Sequence, residues 1–121
     1  MKYSEAKQIL RSYVDIIKSD DKIAGAFVDK WGIDPDNMYD FVMDPLFHGG
    51  LYSKTWSIHS MGDLSNKRVL NIGPELGLES ALLACSAEKL IIADPDESTL
   101  ELIKQILNKL PQIISSRVSY L

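Results

Sequence analysis

The sequence predicts an α/β fold, a small partial parallel sheet carrying an N-terminal cap of helices. Three observations lead to that expectation. Arg68 to Ile72 and Leu90 to Ala93 are short apolar runs with β-branched residues, the first stopped by Gly73 and the second by Asp94-Pro95-Asp96. Between them Glu79 to Ser86 switches to helix formers, with Ala81, Leu82, Ala84 and Cys85 able to form one apolar side. Two strands joined through a helix make a parallel βαβ unit, and such crossovers are almost always right-handed. Third, the first 45 residues repeat their apolar positions at helical spacing.

Ser4 is placed to cap a first helix with Ile9, Leu10, Tyr13, Ile16 and Ile17 along one face. Ser19-Asp20-Asp21 breaks it and supplies a cap for a second helix, on which Ile23, Phe27 and Trp31 share a stripe before Gly32 ends it. Asp34-Pro35 reads as a cap followed by proline at the first helical position. It opens a third helix with Met38, Phe41 and Val42 that stops before Pro45. His48-Gly49-Gly50 marks a turn, and Tyr52 to Ser60 a helix with Trp56 facing inward. Gly62 and Asn66 punctuate the approach to the first strand. Past Asp96, Ser98 with Glu101 fits a capping box, and Leu100, Ile103, Leu107 and Leu110 form a stripe that Pro111 ends. Arg117 to Leu121 alternates as a third strand. The 121 residues thus read as one domain: a helical cap over 1–45, a connecting segment over 46–66 and a βαβαβ half over 67–121.

A hydrophobic share of 45% with 25% charged residues suits a globular chain that buries about two thirds of its unfolded surface. The net charge of −4 argues against charge-driven binding to nucleic acid or to an anionic membrane. No apolar run reaches the length of a membrane span, and no basic-then-apolar leader pattern opens the chain. One cysteine, Cys85, leaves no internal disulfide and fits a reducing cytoplasm. It reads as a small helix residue rather than a catalytic thiol. His48, His59 and Cys85 lack metal-ligand spacing, so no metal site is expected.

In parallel βαβ units ligands bind outside the carboxyl ends of the strands, here Asn71 to Gly77 and Asp94 to Asp96. On these residues, the stretch from Leu51 to Leu121 resembles the cofactor-binding half of the class I S-adenosylmethionine-dependent methyltransferases. In that family the first strand ends in an acid followed by a Gly-x-Gly-x-Gly turn, and the second ends in an acid that holds the ribose hydroxyls. Gly73 matches the first glycine and Gly77 the third; Asp94 matches the ribose acid, 21 residues after Gly73. Asn71 stands where the family prefers Asp or Glu, and Glu75 where it prefers the middle glycine. The resemblance implies a Rossmann-like sheet of strand order 3-2-1, part of the family's seven-stranded 3-2-1-4-5-7-6. It implies S-adenosylmethionine as cofactor, held by Asn71, Gly73, Pro74, Glu75, Gly77, Asp94 and Pro95. The family's catalytic segments after the fourth strand have no counterpart. The chain therefore reads as the N-terminal part of a methyltransferase, or as a domain completed by a partner.

Each residue also has a structural role to weigh. Glu75 either favours the following helix dipole or faces the cofactor's ammonium or sulfonium charge. Asn71 keeps an acceptor oxygen without the charge, which weakens a hydrogen bond by about half. Asp94 either accepts two ribose hydroxyls or simply shapes the Asp94-Pro95-Asp96 turn. Tyr52 and Trp56 are candidates for covering the cofactor. Two other readings stand beside the methyltransferase one. The first is a nicotinamide-binding oxidoreductase fragment, which Gly73, Glu75 and Leu78 fit at only one glycine position of Gly-x-Gly-x-x-Gly. The second is a non-catalytic Rossmann-like domain acting in oligomerisation or partner binding.

Strand order 3-2-1 leaves Arg68 to Ile72 at an edge, with Val69, Leu70 and Ile72 suited to burial on both faces. A homodimer is expected, either through paired first strands or through the helical cap. The alternative is that Leu46 to Met61 folds back over the edge.

Overall fold

A computed structural model describes residues 2–44 and 51–121, apart from the Tyr52 side chain. The third helix ends at Met43 with Asp44 as its C-cap, before Pro45 as expected; the His48-Gly49-Gly50 turn and any role of the Tyr52 ring lie outside the described residues. In chain order the elements are α1 (Tyr3–Ser19), α2 (Asp21–Trp31), α3 (Pro35–Met43), α4 (Leu51–Ser60) and β1 (Arg68–Ile72). They continue with α5 (Leu78–Ser86), β2 (Lys89–Ala93), α6 (Glu97–Leu107), α7 (Gln112–Ser115) and β3 (Val118–Tyr120). The three strands form one parallel sheet, with β2 between β1 and β3. Register runs from Arg68 opposite Lys89 to Ile72 opposite Ala93, and from Leu90 opposite Val118 to Ile92 opposite Tyr120.

Among the described residues, helices cover one face of the sheet. Leu90 and Ile92 are fully buried on it, and Val69 and Asn71 lie beside them in register. Helix α5 packs on β2, and α1 packs in turn on α5. Helix α5 is buried nearly all round, with Leu78, Ser80, Ala81, Leu82, Leu83 and Ala84 all inside. That follows from its composition: small and aliphatic residues on every side leave no polar face to turn outward. The other face of the sheet differs from expectation. Leu70 is 53% exposed and Ile72 is 70% exposed, so β1 is not buried on both faces. The alternation along a strand puts these two side chains opposite Val69 and Asn71, away from the helices.

Most helix boundaries follow their chemistry. Asp20 caps α2, accepting from the Lys22 and Ile23 amides, and Gly32 ends it in the left-handed conformation at φ 67°. Asp34 caps α3 ahead of Pro35. Two expected caps are displaced. Helix α1 begins at Tyr3 after an N-cap Lys2 that makes no side-chain cap bond, so Ser4 lies inside the first turn. Helix α6 is capped by Asp96 rather than Ser98, because the Asp96 carboxylate takes the Ser98 amide at 3.0 Å. Two aromatic residues expected inside are not. Phe41 is 40% exposed, since Met38 and Val42 form the buried line of α3. Trp56 is 68% exposed, because Leu51 and Ile58, two turns apart, define the inner side of α4 and Trp56 falls opposite them. The one-turn helix α7 after Pro111 was not expected.

Two ion pairs fasten the N-terminal helices to the sheet half. The Lys109 ammonium donates to Asp20 at 2.8 Å, and Lys30 donates to Asp96 and, at 2.7 Å, to Ser98. Each aspartate is also a helix cap, so α2 and α6 run antiparallel with a lysine at one end of each closing on the cap of the other. The hydrogen bond from Lys30, then those from Ser98 and Thr99, hold the Asp96 carboxyl well below its usual range. The bond from Lys109 lowers Asp20 in the same way. A carboxyl depressed in the folded chain contributes stability above its unfolded value, about 4, and loses it as pH falls below that toward the folded value. The wild-type protein should therefore have a higher urea midpoint than Asp96→Asn at neutral pH. That gap should narrow as pH drops below about 4; a gap constant across the range would contradict the assignment.

Candidate functional site

Three of the five positive-φ residues among the described residues lie in the turn from β1 into α5. The Gly73 amide donates to the Ala93 carbonyl at 2.9 Å, adding one rung beyond β1. The chain then takes positive φ at three alternate residues: Gly73 at 65°, Glu75 at 53° and Gly77 at 81°. These are the positions of the expected Gly-x-Gly-x-Gly pattern, and the middle one keeps the glycine conformation with a glutamate in it. For a residue with a Cβ, that conformation costs roughly 1–2 kcal/mol. The Gly77 amide donates to the Pro74 carbonyl at 3.0 Å, and the Gly77 carbonyl takes the Ala81 amide at 3.0 Å to start α5. Pro74 is buried and Glu75 is exposed. Glu79, in the first turn of α5, lies 3.9 Å from the Lys54 ammonium of α4.

Gly77 is required for a second reason, which comes from the N-terminal helices. Tyr13 of α1 is fully buried and donates its hydroxyl to the Leu76 carbonyl at 2.8 Å. A Cβ on Gly77 would sit 2.1 Å from that oxygen. Burial, with Tyr120 adding to it, pushes the Tyr13 hydroxyl far above the ordinary phenol range, so it remains a donor. The turn is thus supported from beneath by a side chain more than sixty positions away. Reading the sequence alone missed Tyr13, whose one visible signal is a hydroxyl within an otherwise aliphatic stripe.

Asn71 is buried, and its side-chain oxygen accepts from the Ser80 hydroxyl of α5. The bond ties strand to helix beneath the turn and uses the acceptor that was expected to meet a cofactor. Ser80 was also missed by sequence reading. Asp94 is only half-buried and follows directly on the rung between Gly73 and Ala93, which places it beside the turn. One of its carboxylate oxygens takes the Asp96 amide at 2.8 Å, across Pro95. The second oxygen has no partner among the described residues. Asp94 and the turn are therefore brought together, Asn71 is committed below them, and Trp56 lies on the outer side of α4. A separate cavity of about 650 Å³ opens at the other end of the sheet, between α4, the 61–66 loop and the end of α5, lined in part by His59, Asp63 and Cys85. Desolvation pushes the Cys85 thiol up to about 11, which makes it a poor nucleophile.

A scan against protein-family models, a search of curated proteins and a search of solved structures each find no match.

Gly77→Ala should cost about 2–3 kcal/mol, combining left-handed strain with displacement of the Tyr13 hydrogen bond. Tyr13→Phe alone should cost about 1 kcal/mol. The double variant should lose less than the sum, by about 1 kcal/mol, in urea unfolding. Simple additivity would mean that the hydroxyl does not press on position 77.

Proposed function

We propose that the chain binds S-adenosylmethionine, or the demethylated homocysteine product, at the Gly73–Gly77 turn and Asp94, as the cofactor half of a methyltransferase-like protein. The observation that carries this reading is the alternating positive φ at residues 73, 75 and 77, set beside a carboxylate with one free oxygen. It takes the sheet as the 3-2-1 part of a Rossmann-like sheet, supported by three parallel strands with β2 in the centre. Asp94 would accept the ribose hydroxyls through its unpaired oxygen, while the backbone at Gly73, Pro74 and Gly77 would pass close to the cofactor's amino-acid part. The first amides of α5 have no intrahelical partner and suit that end's carboxylate. Glu75 is exposed at the turn and would face the ammonium or sulfonium charge, and Pro95 holds Asp94 at the strand end. The cofactor, when bound, supplies the sulfonium methyl for transfer to a nucleophile; no residue of this chain is assigned as a catalytic base. The half-buried thiol of Cys85 suits a reducing cytoplasm.

One observation favours a second reading, a ligand-free domain that acts through its surfaces. Asn71 turns its oxygen to Ser80 beneath the turn, a contact that needs no ligand. Calorimetric titration with S-adenosylmethionine and S-adenosylhomocysteine separates the two readings. Asp94→Asn is the informative variant, because it keeps an oxygen for the Asp96 amide while losing the charge. Binding to the wild type should weaken about tenfold or more in Asp94→Asn. Equal affinity in both would remove Asp94 from the site, and no heat with either ligand would favour the ligand-free reading.

A further inference from the structure

We propose that the free edge of β1 is a self-complementary docking surface, and that its occupant is a second copy of this chain, paired antiparallel about a two-fold axis through Leu70. This inference does not rest on the cofactor reading.

The backbone of β1 alternates its hydrogen-bonding groups between β2 and the outer edge. The Lys67 carbonyl takes the Lys89 amide and the Gly73 amide donates to Ala93, so both ends of the strand show odd-numbered residues facing β2. Facing alternates along a strand, so Arg68, Leu70 and Ile72 turn their amides and carbonyls to the free edge. These three residues are symmetric about Leu70. In an antiparallel pair centred there, Leu70 meets the partner's Leu70, and Arg68 meets the partner's Ile72 on either side. Each of these is a hydrogen-bonded pair exchanging two bonds, about six in all.

The side chains agree with the backbone. Arg68, Leu70 and Ile72 also share the uncovered face, where Leu70 is 53% and Ile72 70% exposed. Antiparallel pairing sets the two Leu70 side chains against each other and lays each Arg68 stem along the partner's Ile72. Charge selects the direction. Lys67 and Arg68 stand at the start of the strand and exposed Glu75 just past its end. Antiparallel copies bring basic end to acidic end, whereas parallel copies would set like charges together. No proline or bulge interrupts Arg68 to Ile72. The opposite edge of the sheet offers less. On three-residue β3 the Arg117 carbonyl and the Leu121 amide bond to β2, which leaves only Val118 and Tyr120 facing out. Their side chains lie in register with Leu90 and Ile92, on the covered face. Among the described residues, helix α4 packs on α1, α3 and α5 and does not supply the strand that β1 lacks; residues 46–50 of the segment expected to fold back lie outside the described residues.

A three-residue ladder is a small interface, so the dimer should form with rising concentration rather than be permanent. In light scattering across a micromolar dilution series, the mass should climb from the 13.6 kDa of one chain toward twice that value. Leu70→Lys sets two like charges on the axis at an already exposed position, and should hold the mass at that of one chain throughout. Ser119→Lys, on the same face but on β3, should leave association unchanged. Leu70→Cys in a Cys85→Ala background should give a disulfide-linked dimer on mild oxidation, since hydrogen-bonded antiparallel partners have Cα atoms about 5.5 Å apart. Ile113→Cys, exposed on α7, should not. A wild type that remains a monomer at the top of the series would overturn the proposal. So would a dimer that survives Leu70→Lys, which would place the contact on the helical cap instead.

Discussion

Tyr13 reaches from the first helix to the one point in the glycine turn where a side chain cannot be built. Its hydroxyl lies where a Cβ of residue 77 would go, and it is bonded to the carbonyl just before that residue. The turn has few other means of keeping its shape. Glu75 is held in a conformation that costs roughly 1–2 kcal/mol, and Gly77 has no side chain with which to cap α5. Strain of this kind persists only where surrounding contacts over-determine it. Here those contacts come from α1 below and from the Asn71–Ser80 bond alongside. The N-terminal helices are therefore part of the turn's foundation, and not a lid laid over a finished sheet.

The same logic extends outward through α5. Because that helix is buried on nearly every side, it serves as the core for two layers at once, with α1 and α4 on one flank and the sheet on the other. The ion pairs at Asp20 and Asp96 then pin α2 to α6 at the rim. As largely exposed pairs they contribute modestly, but each lies on a helix cap and so fixes where that helix begins. Among the described residues, this construction leaves the far face of the sheet and the outer edge of β1 uncovered.

Much of the fold was legible because short-range chemistry decided it. The strands around Val69 and Ile91, the break at Gly73, the caps at Asp20 and Asp34 and the stop at Gly32 follow from residue type and spacing alone. The spacing of Gly73, Glu75 and Gly77 was legible as a pattern, while the conformation of Glu75 was not, since nothing in a glutamate announces positive φ. What escaped was tertiary. Trp56 and Phe41 look like core residues by type, and only the competing lines Leu51–Ile58 and Met38–Val42 turn them outward. Leu70 and Ile72 look doubly buried because parallel strands usually are, but among the described residues this sheet is covered on one side. Tyr13 and Ser80 touch the turn across long or oblique paths that no local pattern encodes. The position of Asp94 at a strand end was readable, whereas the division of its two oxygens between a turn and open space was not.

Joined by these contacts, helical cap and glycine turn form one cooperative unit. Native-state hydrogen exchange tests it directly, because it reports the opening free energy of each segment separately. The slowest amides of α1, at Val14 and Ile17, should exchange with the same free energy as those of α5 at Leu82 and Leu83, and both should equal the free energy of global unfolding. Exchange in α1 through a much smaller opening, with α5 still protected, would contradict it.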